Sequence, residues 1–500
     1  VVGAIQDGAG ESNENREVRL IPRRQFLQWS AGGLLLGAGC ADQEDAVVPP
    51  QDDPELAPAD GALATAFDPA AIPEDAALFS LGVQAGAMTA SSALLWTRVE
   101  DGAPCVLRVW RDAGQAGQVL LLRETEVTPA DGYVQARVEG LSPGARYRYG
   151  FFRRDGGGTL AARSALGRFR AAFEEGARRK VLVAASTCTS FGNAPYTSLE
   201  MAAAEQPDLF LHLGDMSYND GAFTVDEFRA KWRQTLTDPG YRAILSACGM
   251  YMTWDDHEII DSSQYDPETM DPELLANGKR AFFETLAVEQ GPEGRLWRSY
   301  RWGSSVEFFL VDSRSERRPS TRSTPEAIYI GREQMEWLKQ ALRDSPCHFK
   351  VILNSVPMTD LPGLWELAEG DRWEGYRAQR DELLTFLRGA GLRGVYFLSG
   401  DFHCGFVARL DPPGGSGDAF WEIAVGPGAS GVNPLPLFVD RGTLDREEVF
   451  PSNQFVYGSS SRGAMTTLLF DPVQDRVEVR FVEARGEERG KELFRAALLS

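Results

Sequence analysis

The chain has 500 residues, 43% hydrophobic and 25% charged, the balance of a globular protein long enough for two or more domains and a sizeable core. Its formal net charge of -21 excludes a general grip on nucleic acid or on an anionic membrane, where phosphates would meet like charge. A phosphate-bearing ligand therefore needs local positive charge, which bound metal ions supply.

Near the N-terminus, RRQFLQWSAGGLLLGAGC sets Arg23 and Arg24 directly before a weakly apolar stretch that ends at Cys40. The stretch is too short and too glycine-rich to span a bilayer as a stable helix. It resembles a twin-arginine export signal, so residues 1–40 read as a signal segment, the export machinery as a partner, and the protein as periplasmic, envelope-anchored or secreted. GAGC also resembles a lipoprotein cleavage box with Cys40 as the lipid-bearing residue, although Gly37 stands where such boxes prefer Leu. Lipidation and plain cleavage both stay open, and contact with a membrane is expected only through a lipid on Cys40. Val1 in place of Met reads as an alternative start codon translated literally. Residues 41–75, rich in Asp, Glu, Pro and Ala, read as a disordered acidic linker.

From residue 76 to 172, short alternating segments such as SALLWTRV, CVLRVWRD, GYVQARVEG and RYRYGFFRR are separated by Gly, Pro and Asp turn signals. They predict a small antiparallel β-sandwich of accessory character. GLSPGARYRYGFF places Tyr147 and Tyr149 just after a turn, as at the tyrosine corner of immunoglobulin-like and fibronectin-like sandwiches. From residue 178 to 500, apolar strands alternate with helical segments such as TVDEFRAKWRQTL and REQMEWLKQALRD, which predicts a layered α/β domain.

Chemistry-bearing residues recur just after the apolar runs of this second part. VLVAAST delivers Cys188, LFLHLG delivers Asp215, MYMTW delivers Asp255 and Asp256, FKVILN delivers Asn354, and VYFLSG delivers Asp401 and His403. Ligands bind beyond strand C-termini in α/β sheets. One such coincidence means little, since Asp and Asn often end strands as turn residues. Five that supply thiol, carboxylate, amide and imidazole point to a shared metal site.

With LGVQAGAMTASSALLWTRV, STC, HLGDMSY, TWDDHE, VDSR, GREQMEWL, GYRAQRDELL and LSGDFH in that order, the chain resembles the alkaline phosphatase D (PhoD-like) family of the calcineurin-like metallophosphoesterases. The resemblance implies an α/β metallophosphoesterase sandwich behind a fibronectin/immunoglobulin-like domain. It also implies a hydrolase of phosphoric esters, phosphodiesterase or phosphomonoesterase, that uses metal-activated hydroxide. By the same resemblance, Asp215 bridges two metals, and Tyr218, Cys188 and His403 complete a site suited to Fe3+. Asp256, Asp401 and Asn354 then form an oxygen-rich second site suited to Ca2+, with Mg2+ or Mn2+ as alternatives. His257 is the expected general acid, oriented by Asp255 or Glu258. A small phosphate ester, a wall polymer or a phospholipid is the implied substrate. A phospholipase D-type phosphodiesterase and a tethered, non-catalytic metal- or phosphate-binding protein remain the competing readings.

The other reactive residues read more plainly. His212, inside an apolar run, is expected in the core, and His348, beside Pro346 and Lys350, at the surface. Arg314 of VDSRSER reads equally as a phosphate contact or a structural salt bridge. Cys105, Cys248 and Cys347 are expected as buried thiols, with one disulfide among them the alternative, and Cys404 as a neighbour of the site rather than a ligand.

Overall fold

The computed structural model describes residues 19–21, 61–114, 117–261, 265–431 and 433–500. Arg23, Arg24 and Cys40, and the first twenty residues of the expected linker, lie outside them. Order begins earlier than the composition of 41–75 suggests: Leu63–Ala66 is a strand paired antiparallel with Gln118–Val127. Phe67 follows it and packs edge-on against Trp110 and Phe152, at 5.4 and 5.6 Å between ring centroids. This apolar anchor outweighs the acidic composition around it.

The N-terminal part is a β-sandwich. One layer runs in the order Gly167–Arg170, Arg146–Arg154, Cys105–Asp112, Gln118–Val127, Leu63–Ala66; the other contains Val83–Gly86, Ser92–Arg98 and Tyr133–Glu139. Leu107, Val109, Tyr147 and Phe151 of the first layer share a core with Ala85, Leu95, Val134 and Val138 of the second. The tyrosine corner is present: the Tyr147 hydroxyl accepts a hydrogen bond from the Ser142 amide at 2.7 Å.

The second part stacks two sheets between helices. In the first sheet Val181–Thr189, Leu209–Leu213 and Gly249–Thr253 run parallel; in the second, Val306–Leu310, Phe349–Leu353, Val395–Ser399 and Trp421–Ala424 do. Val183, Leu211 and Leu213 face Phe308, Val351 and Leu398 in the core between the sheets. Phe210 points outward to the helices instead, meeting Phe228, Trp232 and Phe282, as the two-residue period of a strand requires. The helix Val225–Leu236 starts at a capping box of Thr224 and Glu227 and buries Phe228, Trp232 and Leu236 on one face. On the far side, Met335, Leu338 and Leu342 of Arg332–Asp344 cover the second sheet.

The two parts are joined more closely than two separate runs of sequence suggest. Val83–Gly86 pairs with Gly249–Thr253 at Gly86 and Met250, so a sandwich layer continues the first sheet of the second part. Gly86 passes so near the chain that a Cβ there would lie 1.8 Å from the Ala287 carbonyl oxygen. Three side chains of that layer satisfy carbonyls at the end of the helix Pro272–Thr285. Trp96 Nε1 donates to Glu284 at 2.8 Å, Gln84 Nε2 to Thr285 at 3.1 Å and Gln135 Nε2 to Leu286 at 3.0 Å. The accessory sandwich thus caps a helix of its neighbour.

Candidate metal centre

All the strand ends singled out in the sequence meet at one edge of the stacked sheets. Cys188 lies near the end of Val181–Thr189, and its amide donates to the Gly214 carbonyl at 3.2 Å, tying it to the end of Leu209–Leu213 and to Asp215. Asp255 and Asp256 follow Gly249–Thr253, Asn354 follows Phe349–Leu353, and Asp401 and His403 follow Val395–Ser399. Cys188, Asp215, Asp401 and His403 adopt left-handed φ values of 51, 57, 63 and 52°. A non-glycine residue in this region costs about 1–3 kcal/mol, and such strain gathers at functional sites. Gly214 has φ 90°, and a Cβ there would lie 2.5 Å from Cβ of Asp255.

Two overlapping clusters result. In one, the ligand atoms of Cys188, Asp215 and His403 lie within 4.8 Å of one another. The Cys188 thiol meets Asp215 Oδ2 at 3.4 Å, and the Tyr218 hydroxyl lies 3.4 Å from the same oxygen and 3.1 Å from His403 Nε2. In the other, carboxylate oxygens of Asp215, Asp255, Asp256 and Asp401 share the same limit. Asp215 belongs to both, the position of a bridging ligand.

Electrostatics says what is wanted between them. Burial first, then the carboxylates of Asp255, Glu258 and Asp401, hold Asp215 well above the usual carboxylate range. Burial and then Asp255 push Asp401 up to about 7. Burial, with Asp255 and Asp215, likewise holds Asp256 high against the pull of Arg314. Burial and Asp215 keep the Cys188 thiol and the Tyr218 phenol protonated, each well above its ordinary range. Burial, aided by His257, lowers His403 to about 4 and leaves it a neutral imidazole. Buried acids that crowd one another in this way are relieved by a cation. Asp215 Oδ1 and Asn354 Oδ1 are buried acceptors with no hydrogen-bond partner, so the donor set fits metal ions.

Two role expectations are corrected. The hydrogen bond that orients His257 comes from Asp220, whose oxygens lie 2.9 and 2.8 Å from Nδ1, and not from Asp255 or Glu258. Glu258 is fully occupied with backbone, accepting from the amides of Asp215 at 3.1 Å and Asp255 at 2.8 Å, and from Met216 at 2.6 Å. Asp255 is bound through Oδ1 by Arg314 Nε and by Ser355 Oγ at 2.7 Å, and through Oδ2 by Arg314 Nη2 at 3.0 Å. Both acids hold the site in shape without touching the imidazole. The Tyr218 ring packs against His257 with centroids 4.0 Å apart and the ring planes tilted by 32°. Burial opposes charge on His257, but the bond to Asp220 and the carboxylates of Asp215 and Asp256 outweigh it and push its pKa up to about 10.

The remaining candidates resolve as follows. Arg314 is fully buried, which excludes direct contact with a substrate phosphate. His212 is a core residue, bonded to the Tyr241 hydroxyl at 3.0 Å and lowered to about 3 by burial. His348 is half-buried rather than at the open surface, because Asp475 at 2.6 Å and Arg178 at 2.9 Å hold its two nitrogens. Cys105, Cys188, Cys248, Cys347 and Cys404 are all buried free thiols. Asp220 and Asp371, the latter a partner of Arg314 at 2.8 Å, escaped sequence reading. Asp220 stands in the same HLGDMSYND segment as Asp215 and Tyr218, which is the only local signal it carries.

Comparisons with known proteins agree with this architecture. The model of the PhoD-like phosphatase family matches residues 182–467, and that of its N-terminal domain matches residues 64–173. Alkaline phosphatase D of Bacillus subtilis (strain 168) is 25% identical over 392 residues, 66% of this chain and 65% of that protein, so the match spans just under two thirds of the relative. A solved structure described as PhoD superposes with a TM-score of 0.69 at 21% identity, over 84% of this chain and 88% of the other. Purple acid phosphatase PPD1 from yellow lupin (Lupinus luteus) seeds gives 0.59 at 13% identity, over 84% of this chain and 73% of its own. At these identities the structural likenesses speak for the fold alone.

Proposed function

The chain belongs to the PhoD-like phosphatase family, and from that premise we propose that it is an exported, metal-dependent hydrolase of phosphoric esters. The observation that carries this reading is the sharing of Asp215 by two buried clusters, one of thiol, phenol and imidazole and one of carboxylates. Cys188, Tyr218, Asp215 and His403 would hold one ion, and Asp215, Asp256, Asp401 and the amide oxygen of Asn354 the other. Five of these seven ligands are anions when coordinated: Cys188, Tyr218, Asp215, Asp256 and Asp401. A trivalent ion with a divalent one brings five positive charges, which favours iron at the site with the hard phenolate and calcium, or another hard divalent ion, at the other.

When bound, the ions supply an activated water and the positive charge that a phosphoryl group needs in an overall acidic protein. The chain's own residues do the rest. His257, held at Nδ1 by Asp220, presents its other nitrogen as a proton donor to the departing oxygen. Tyr218 packs on one face of its ring and limits its rotation. Glu258 fixes the backbone of both loops that carry ligands, and Asp255 with Arg314 fixes the base of the oxygen-rich half. The paired Arg23 and Arg24 support export by the twin-arginine route.

Turnover of aryl phosphate monoesters and diesters, compared for the wild type and His257→Ala, tests the reading. We expect hydrolysis in the wild type and a fall of roughly 100-fold or more in the variant, with metal content unchanged. Full activity in the variant would remove His257 from the mechanism, and a metal-loaded wild type that cleaves neither ester would leave a binding protein instead. The preferred ester, including a phospholipase D-type diester, follows from the same assay.

A further inference from the structure

We infer that the Asp255–Arg314 ion pair sets the charge of the oxygen-rich half of the centre, with Asp255 neutralising a guanidinium that would otherwise bind the ligands Asp256 and Asp401 more strongly. This rests on the two-ion reading above and concerns residues that the reading leaves without a chemical role.

Arg314 has no solvent exposure, so neither substrate nor water neutralises it. Its planar fork is divided among carboxylates: Nε and Nη2 go to the two oxygens of Asp255, and Nη1 goes to Asp371 at 2.8 Å. Asp371 is held in turn by Arg317 at 2.6 Å. The same Nη2 that binds Asp255 also donates a longer hydrogen bond, 3.3 Å, to Asp256 Oδ1 and lies 3.8 Å from Asp401 Oδ1. A unit positive charge thus stands beside two of the three carboxylates that would hold the second ion, inside a region where water screens little.

Asp255 lies within the same 4.8 Å cluster, yet it is poorly placed to ligate because Arg314 and Ser355 already occupy its oxygens. Its carboxylate cancels the guanidinium charge instead. Without that charge, the nearest remaining acceptors for Nη2 are Asp256 and Asp401, and Arg314 competes with a divalent ion for them. The adjacent acids of the DDHE segment therefore have separate tasks: Asp256 ligates, and Asp255 neutralises a resident cation.

The test is calorimetric titration of Ca2+ into the full chain freed of divalent ions, which reads binding without turnover. Asp255→Asn is expected to weaken Ca2+ by about tenfold or more, because the guanidinium is released toward the ligands. The double variant Asp255→Asn with Arg314→Gln replaces the buried pair by two neutral amides, an exchange that folds tolerate better than a half-broken pair. It is expected to recover most of the lost affinity. Arg314→Lys, which keeps the charge but cannot grip Asp255 and Asp371 together, should weaken Ca2+ by roughly threefold or more. Wild-type affinity in Asp255→Asn or in Arg314→Lys, or a double variant no tighter than Asp255→Asn, would overturn the inference while leaving the two-ion reading intact. A wild type with no saturable site for Ca2+, Mg2+ or Mn2+ would overturn both.

Discussion

Asp220 accepts from Nδ1 of His257 at 2.8 Å, and this bond orients the imidazolium whose opposite nitrogen is the proposed proton donor. We predict that Asp220→Asn lowers kcat by roughly 10–100-fold with KM and metal content little changed; steady-state kinetics with elemental analysis would show this, and an unaltered kcat would leave Asp220 a bystander. His212 makes a separate prediction. Its native pKa of about 3 lies below the unfolded value near 6.5, so the unfolded chain binds the extra proton first as the medium acidifies. Stability from His212 is complete above about pH 6.5 and is lost as pH falls toward 3, by about 2 kcal/mol at pH 5. Melting temperatures between pH 5 and 7 should therefore fall less steeply in His212→Gln than in the wild type. Parallel curves would contradict the assignment.

The elements that matter most are the strand ends. An apolar run that stops at a polar residue is visible in a sequence, which is why Cys188, Asp215, Asp256, Asn354, Asp401 and His403 were legible as candidates. Their partners were less so. Neighbourhood along the chain favours Asp255 or Glu258 as the group that orients His257, but the packing of two loops brings Asp220 there and turns Glu258 toward backbone amides. Likewise, VDSR does not reveal whether Arg314 faces solvent, since only stacking of the sheets buries it. Gly214 belongs to this scale too, because its φ of 90° and the nearness of Asp255 permit no side chain. Gly214→Ala is expected to cost about 3 kcal/mol and to displace Asp215 from the shared position. Denaturant unfolding with metal analysis would detect both, and a variant with wild-type stability and metal content would refute the constraint.

Across the whole molecule, composition and turn signals separated a β-rich front from an α/β body, but not the way the two join. One strand pairing at Gly86 and Met250, and three side chains on the end of the helix Pro272–Thr285, are long-range contacts with no local signature. The acidic stretch before residue 76 misled in the opposite sense, since a few apolar residues such as Phe67 suffice to dock its last part. The charge of the whole chain meets the proposed function in a single requirement: an acidic protein that hydrolyses phosphate esters needs local positive charge, which bound ions would supply. The most direct measurement is elemental analysis of the purified, active protein together with its visible spectrum. Iron and a second, divalent metal should be present, with a tyrosinate-to-iron charge-transfer band that disappears in Tyr218→Phe. A colourless, iron-free protein with full activity would contradict the account.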